Sequence, residues 1–252
     1  MRPQDVPLGK TQRRSSFALV RRTSAKTLLH TLLWVLILML TTPVLADSVS
    51  PYDLYDDPFE FTLTFSNNDI DLQDGDINYP ATMDRISFSI LSIDNEHIQW
   101  GFVAGSSYLS LDNDTALAGM NLNGYHAGFT LRGHAGTNPQ LGLRGVYRYQ
   151  ETRNEFATQS ATISWHELNI AATGKILLGQ HLGLGLAWVF SDIKAQRRAR
   201  GDINDTLNLR LNSAAQIQLE LEWLTGGDGS VSLAWQRGAY ESIGLHFSRS
   251  FK

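Results

Sequence analysis

The chain contains no cysteine among its 252 residues. This absence excludes disulfide bonds, thiolate metal ligands and a cysteine nucleophile. Long apolar runs are also scarce. After residue 46, no segment has the roughly 18 apolar residues that a transmembrane helix needs. A membrane-embedded structure in that part of the chain must therefore be built from β-strands.

Residues 1–46 have the layout of a secretory signal peptide. A basic region precedes an apolar run over Leu28–Leu40, and a small-residue site ends at Ala46. Cleavage there would make Asp47 the first mature residue. An uncleaved membrane anchor is the alternative, but the apolar run is shorter than an anchor needs. The long basic region also allows a true start further along, for example at Val20.

The charge balance argues against general nucleic-acid binding. The leader holds seven of the 21 basic residues and one of the 25 acidic residues, which leaves 14 basic and 24 acidic residues in the mature part. Such a chain lacks the basic surface that binds phosphate backbones. We expect three segments: the signal peptide at 1–46, a polar lead-in at 47–58 and a β-barrel domain at 59–252.

Apolar and polar residues alternate without a break from Leu207 to Trp223. A period of two is the side-chain period of a β-strand. Strands of soluble proteins usually run about three to ten residues. A longer strand with one apolar and one charged face fits a transmembrane barrel, which has lipid outside and a polar lumen inside.

Ten strand candidates follow one another after residue 58, and they predict an all-β, antiparallel, up-and-down transmembrane barrel. Eight or twelve strands remain alternatives, as does a soluble β-barrel or sandwich, which would leave the long strands unexplained. An even number places both termini on the periplasmic side. Segments 67–83 and 196–205 are polar and are predicted to be external loops. The apolar phase changes inside the sixth candidate, which predicts a β-bulge near His166-Glu167.

Aromatic residues fall at both ends of the strand candidates. Tryptophan and tyrosine are enriched where a membrane meets water. We therefore predict two belts of interface aromatics, an outer belt of Tyr108, Tyr147, Tyr149, Trp165, Trp188 and Trp235 and a periplasmic belt of Trp100, Trp223 and Phe251.

The leader, the alternating strands and the terminal segment 243–251 together resemble the bacterial outer-membrane β-barrel class. The resemblance covers nearly all of the mature part and is to the class as a whole. It implies a location in the outer membrane of a Gram-negative bacterium. It also implies that Phe247 and Phe251 belong to a terminal signal read by the barrel assembly machinery. Here Lys252, rather than an aromatic residue, comes last.

The polar faces of the strands are predicted to fill the lumen. A barrel of eight strands is just wide enough to be filled by its own side chains, and ten strands are only slightly wider. We expect a plug of paired charges, with a narrow channel for small polar or anionic solutes as the alternative. The residues concerned are Glu60, Arg85, His126, Arg132, Arg144, Arg148, Lys175, Arg210, Glu220, Glu222 and His246.

No catalytic residues, metal site or cofactor are predicted. Ser164, His166 and Glu167 invite a lipid or peptide hydrolase hypothesis, which stays a second alternative. Adjacent strand residues face opposite ways, and no GxSxG or metal motif occurs. The aspartates of segment 67–84 could hold Ca²⁺, but their spacing does not fit an EF-hand, and a solvated acidic loop is preferred.

Basic residues of the second polar segment are expected to contact lipopolysaccharide, because guanidinium and ammonium groups pair well with phosphate. They are Lys194, Arg197, Arg198 and Arg200. The tripeptide 200–202 spells an adhesion motif, although matches of three residues arise by chance. The expected function is a structural or surface-interaction role for a monomeric outer-membrane barrel.

Overall fold

Ten strands form a closed antiparallel ring in the computed structural model, which describes residues 59–251 except 93–97, 113, 118–119, 137, 212–213, 226–228 and 239. An eleventh, short strand lies at one end of the ring. The strands are β1 (Phe59–Asp74), β2 (Ile77–Ser92), β3 (Ile98–Leu111), β4 (Leu122–Ala135), β5 (Gln140–Phe156), β6 (Gln159–Leu178), β7 (Leu182–Arg200), β8 (Asp205–Leu211), β9 (Ala215–Thr225), β10 (Gly229–Gly238) and β11 (Tyr240–Phe251).

The ring closes because β11 pairs with β1 over twelve register positions, from Phe59↔Phe251 to Ile70↔Tyr240. Its order is β1 to β7, then β9, β10 and β11. Closure satisfies the backbone groups that an open edge would leave unpaired in lipid. The predicted ten-stranded up-and-down barrel is confirmed. No helix among the described residues is long and apolar enough to cross a membrane. The predicted signal peptide and lead-in lie outside the described residues.

The two ends of the barrel differ. At the turn end lie both chain termini of the ring and the connections after β2, β4, β6 and β9. At the loop end lie the connections after β1, β3, β5, β7 and β10. The connection after β3 contains a 3-10 turn over Thr115–Leu117, with Leu117 buried. We use the names turn end and loop end throughout.

The wall is taller than a membrane. β6 has 20 residues and β7 has 19. About 9 to 11 residues suffice for a strand to cross the hydrocarbon. Roughly half of each long strand must therefore extend beyond the bilayer.

The interior and exterior exchange polarity halfway along the wall. In β1 the inward side chains change from polar Glu60 at the turn end to fully buried Leu72 at the loop end. The outward side chains change in the opposite sense, from Phe59 to Asp71. The turn-end half is apolar outside, with Trp188 exposed by 64%. This half has the polarity of a transmembrane barrel, and the loop-end half has that of a water-soluble protein.

Buried apolar side chains fill the loop-end half. They come from strands around the ring and from the connection after β3. The cluster, called the loop-end core below, comprises Ile70, Leu72, Tyr79, Ala81, Met83, Leu109, Leu111, Leu117, Met120, Leu122, Ala161, Ile163, Trp165, Ile193, Ala195, Leu209 and Tyr240.

The predicted β-bulge at His166-Glu167 is wrong. The β5–β6 register runs unbroken through Gln150↔Trp165 and Arg148↔Glu167. The apolar phase changes because Ile163 and Trp165 point into the loop-end core, whereas residues nearer the turn end turn their apolar face to lipid.

The single strand predicted from Leu207 to Trp223 is divided into β8 and β9. Lys194 pairs with Arg210 and Phe190 with Ala215, so this stretch holds one residue more than β7 opposite it. The extra residue reverses the faces. Leu209 points into the loop-end core, whereas Ile217 is exposed outside. Continuous alternation in the sequence conceals this reversal.

The segments predicted as external loops, 67–83 and 196–205, are largely strand. The first forms the ends of β1 and β2, paired up to Asp74↔Ile77, and the second belongs to β7 and β8. Their outward polar residues, such as Asp69, resemble loop residues in the sequence. Their inward residues, such as Ile70, are nevertheless buried.

Candidate functional site

A polar cavity of about 460 Å³ occupies the lumen in the turn-end half of the barrel. Side chains from strands all around the ring line it, because alternate residues of each strand point inward. The loop-end core lies beyond the cavity in the direction of the loop end. The lumen therefore has a polar chamber on one side and an apolar filling on the other.

A buried ion cluster, called the central triad, lies where the chamber meets the loop-end core. Glu167 Oε2 is 2.7 Å from Arg85 Nη2, and Glu167 Oε1 is 2.9 Å from Arg148 Nη1. Arg85 also donates to Gln150 at 3.1 Å, and Asn169 donates to Glu167 at 2.6 Å. One carboxylate thus pairs with two guanidinium groups, one on the neighbouring strand β5 and one on the more distant β2, and the three groups together carry one net positive charge.

Further pairs surround the chamber nearer the turn end. Arg132 forms two hydrogen bonds with Glu60, and Lys175 pairs with Glu222. Arg144 donates to Gln218 at 3.2 Å. Charges taken out of bulk water are stabilised when they are paired in this way.

Ten of the eleven predicted lumen residues are on inward-facing positions. Glu220 and His246 line the chamber, and His246 Nδ1 lies 2.9 Å from Thr64 Oγ1. Arg210 is the exception. It lies before the extra residue that separates β8 from β9, and in β8 the even-numbered positions point outward. Its side chain is exposed on the outer surface beside Lys194.

The structure also brings together a pair that the sequence does not indicate. Ser87 Oγ and His126 Nε2 are 2.9 Å apart and both residues are buried. They lie on β2 and β4, on either side of β3, where Gly105 leaves room: a Cβ at Gly105 would lie 2.7 Å from the His126 ring. Only the ring register places these residues together, so their sequence positions give no signal.

The residues of the hydrolase hypothesis do not converge. Ser164 and His166 are on the outward face of β6, and Glu167 points inward into the central triad. Among the described residues, no group of three or more His, Asp or Glu side chains is arranged to hold a metal ion. The aspartates of segment 67–84 form separate hydrogen bonds along the β1–β2 hairpin, with Asp69 accepting from Thr82 and Asp84 from Asn67.

A second buried ion pair secures the loop end. Arg197 Nε is 2.8 Å from Asp114 Oδ2, and both side chains are 2% exposed. Asp114 also accepts from the Ala116 backbone N–H at 2.9 Å. Arg197 reaches Asp205 at 3.2 Å. Arg197 was predicted to contact lipopolysaccharide, and its burial excludes this, because odd positions of β7 point inward.

The other three residues of that set, Lys194, Arg198 and Arg200, are outward and exposed. Their contact with lipopolysaccharide stays a prediction. Phe247 and Phe251 lie on the outward face of β11 beside β1, where Phe251 stacks on Phe59 with centroids 5.4 Å apart.

Trp165 is not an interface residue. It points inward in the loop-end half of the barrel, where the interior is apolar, and is fully buried in the loop-end core. The remaining predicted interface aromatics are exposed on the outer surface: Trp100, Tyr108, Tyr147, Tyr149, Trp188, Trp223, Trp235 and Phe251.

No protein-family model matches the chain, and no curated protein matches it. Solved structures with a similar course of chain include the translocator domain of the autotransporter NalP from Neisseria meningitidis, at 10% identity and a TM-score of 0.47, covering 79% of this chain and 90% of that one. The outer-membrane protease OmpT from Escherichia coli has 10% identity and a TM-score of 0.47, with 78% and 97% covered. The attachment protein Ail of Yersinia pestis has 7% identity and a TM-score of 0.37, with 78% and 100% covered. These similarities are too low to transfer an activity to this chain.

Proposed function

We propose that this protein is a non-conducting barrel of the bacterial outer membrane that anchors a rigid β-structured extension on the outer surface for a structural or surface-interaction role. The observation that carries the proposal is the loop-end core. A channel requires a polar path through the whole barrel, whereas here the described residues fill one half of the lumen with packed apolar side chains.

The charges of the lumen support the same function. Glu60, Glu167 and Glu222 each lie within ion-pair distance of a cationic group. A permeation path needs groups that solutes can contact, whereas these groups are engaged with one another. The pairs connect distant strands of the ring, which suits a wall that must keep its shape.

Hydrogen bonds join the tips of two neighbouring hairpins of the extension. Gln159 and Ile203, on adjacent hairpins, exchange two hydrogen bonds of 3.0 and 2.9 Å. Thr158 donates to Asp202 at 2.7 Å. Such preorganised hairpins suit recognition of a partner, because little conformational freedom is lost on binding.

Single-channel recording from the folded protein in a planar bilayer tests the proposal. We expect no discrete conductance steps, in a preparation whose folding is verified by heat-dependent gel migration and circular dichroism. Reproducible steps would overturn the proposal and favour a channel. Arg144→Glu would then be expected to change ion selectivity, because Arg144 lines the chamber.

A further inference from the structure

A row of three nitrogen-bearing side chains lies on the outer surface of the barrel, on the loop-end side of the lipid-facing residues. His166, Lys194 and Arg210 occupy directly paired positions on β6, β7 and β8. On the turn-end side the same outward faces carry exposed apolar residues, including Leu168 and Phe190. The row therefore begins at His166, directly beside Leu168 of the lipid-facing half, and extends over Lys194 to Arg210, which pairs with Gln73 on the water-facing part of β1. The lipid headgroup region adjoins the row from its His166 side.

Lys194 and Arg210 are like charges held directly opposite each other. Cβ atoms of such a pair lie about 4.5–5.5 Å apart, and like charges in this arrangement are destabilising. Lys194 Nζ has Asp192 at 3.3 Å, but both side chains are largely exposed, so this ion pair stabilises little. Arg210 has no ion pair with a carboxylate of the described residues. An anion located between the two cations would relieve the repulsion.

Tyrosine side chains fix the third member of the row. Tyr147 Oη lies 2.7 Å from His166 Nδ1, and the Tyr149 ring centroid is 5.2 Å from that of His166. The bond to Nδ1 orients the ring and leaves Nε2 as the nitrogen available to a ligand. Tyrosine is also suited to headgroup level, because its ring contacts lipid while its hydroxyl contacts water.

We propose that Lys194 and Arg210, flanked by His166, bind a phosphate group of lipopolysaccharide in the outer leaflet. A guanidinium group binds phosphate through two parallel hydrogen bonds, and an ammonium group adds a point charge. The acyl chains of the same lipid would lie against the apolar residues below. This inference rests on the proposed function, since it requires a membrane beside the row.

Lipid binding to the protein in neutral detergent micelles tests the proposal, with native mass spectrometry as the readout. The probes are bisphosphorylated lipid A, the same glycolipid with both phosphates removed, and inorganic phosphate. We expect the double variant Lys194→Gln/Arg210→Gln to bind lipid A about tenfold more weakly or worse, because it loses two charge-assisted hydrogen bonds. The matched control Arg153→Gln/Arg237→Gln removes two exposed cations that lie outside the row, each paired with an exposed carboxylate, and should retain the affinity.

Thermal unfolding supplies a second readout that a merely structural role would not move. Without lipid A the double variant should be at least as stable as the parent, because the repulsion is gone. With lipid A only the parent and the control variant should gain stability. Equal losses in both variants would indicate nonspecific attraction, and equal binding of the dephosphorylated glycolipid would indicate apolar adsorption. Either result overturns the site, as would saturation by inorganic phosphate alone. None of these outcomes depends on whether the barrel conducts.

Discussion

Glu167 is the residue on which the polar interior depends most. Its carboxylate contacts two guanidinium groups and an amide, and its side chain is 2% exposed. Both arginines project inward and line the polar chamber, and Glu167 lies within ion-pair distance of each. Glu167 therefore acts as the shared counter-ion of these two arginines.

Replacing Glu167 with Gln should destabilise the barrel by about 3–5 kcal/mol, because it leaves two buried cations without their carboxylate. The exposed Glu155, which pairs with Arg153 at 3.4 Å, provides the control, and Glu155→Gln should change stability by less than about 1 kcal/mol. Equilibrium unfolding in urea, with the barrel in lipid vesicles, measures both. Equal effects from the two substitutions would contradict the central role of Glu167.

Trp165 and Trp188 test the placement of aromatic residues. Trp188 faces lipid and Trp165 is buried in the loop-end core. In vesicles of brominated lipids, Trp188→Phe should remove quenchable fluorescence, whereas Trp165→Phe should remove fluorescence that the lipid does not quench. Trp165→Ala should in addition cost about 3–5 kcal/mol, because it leaves a cavity in a packed core. Strong lipid quenching of Trp165 would contradict its assignment to the interior.

At the scale of elements, the stretch from β8 to β9 is where the odd-numbered side chains change from facing inward to facing outward. Its one extra residue lets the leucines of β8 face inward while the apolar residues of β9 face lipid. Register errors of one residue invert every side chain of a strand. One continuously alternating run of sequence can therefore place its apolar residues in the loop-end interior along β8 and against lipid along β9.

Deleting Ala214 should prevent formation of the native barrel. Without the extra residue, either the β8 leucines would point to water or Glu220 and Glu222 would point to lipid. Ala214→Gly keeps the residue count and should fold, which makes it the matched control. Heat-dependent gel migration separates the two outcomes, and normal folding of the deletion variant would contradict the role of the extra residue.

The sequence predicts the turn-end half well because that half obeys one rule, apolar outside and polar inside. It predicts the loop-end half poorly because the rule reverses there. In the sequence, the inward-facing Ile163 and Trp165 look like a break in the strand's alternation. Arg210 was predicted to face the lumen and faces outward, whereas Arg197 was predicted to face outward and is buried inside. Asp69 and Asp71 look like loop residues but belong to β1. Nothing in a period-two pattern says which face is the inner one. The Ser87–His126 pair and the central triad depend on ring register, which no local pattern encodes.

For the whole molecule, the reversal divides the outer surface into a lipid-facing band and a water-facing wall. The band is bounded by residues such as Phe65 and Ile86, which pair in register, and the wall begins at Asn67 and Asp84, which also pair. The absence of cysteine makes this division measurable, because any introduced thiol is the only one in the protein.

Single-cysteine variants should reproduce the division when the barrel is in vesicles. Asp71→Cys, high on the wall, should react rapidly with a membrane-impermeant maleimide. Phe88→Cys, in the band, should not react until the vesicles are dissolved and the barrel is unfolded in a denaturing detergent. Rapid labelling at both positions would contradict the position of the band, and labelling at neither would contradict an extension beyond the membrane.

The level at which the outer surface changes from apolar to polar fixes the depth of the barrel in the membrane. Lowering the barrel into the bilayer would bring Asp69 and Asp84 into hydrocarbon, and raising it would expose Phe65 and Ile86 to water. Burying or exposing one large apolar side chain changes the free energy by about 1.5–3 kcal/mol. Because a vertical shift would affect side chains on all ten strands, the free energy rises steeply when the barrel moves in either direction. In a bilayer of different thickness the lipid should therefore stretch or thin around the barrel, while the barrel keeps its height.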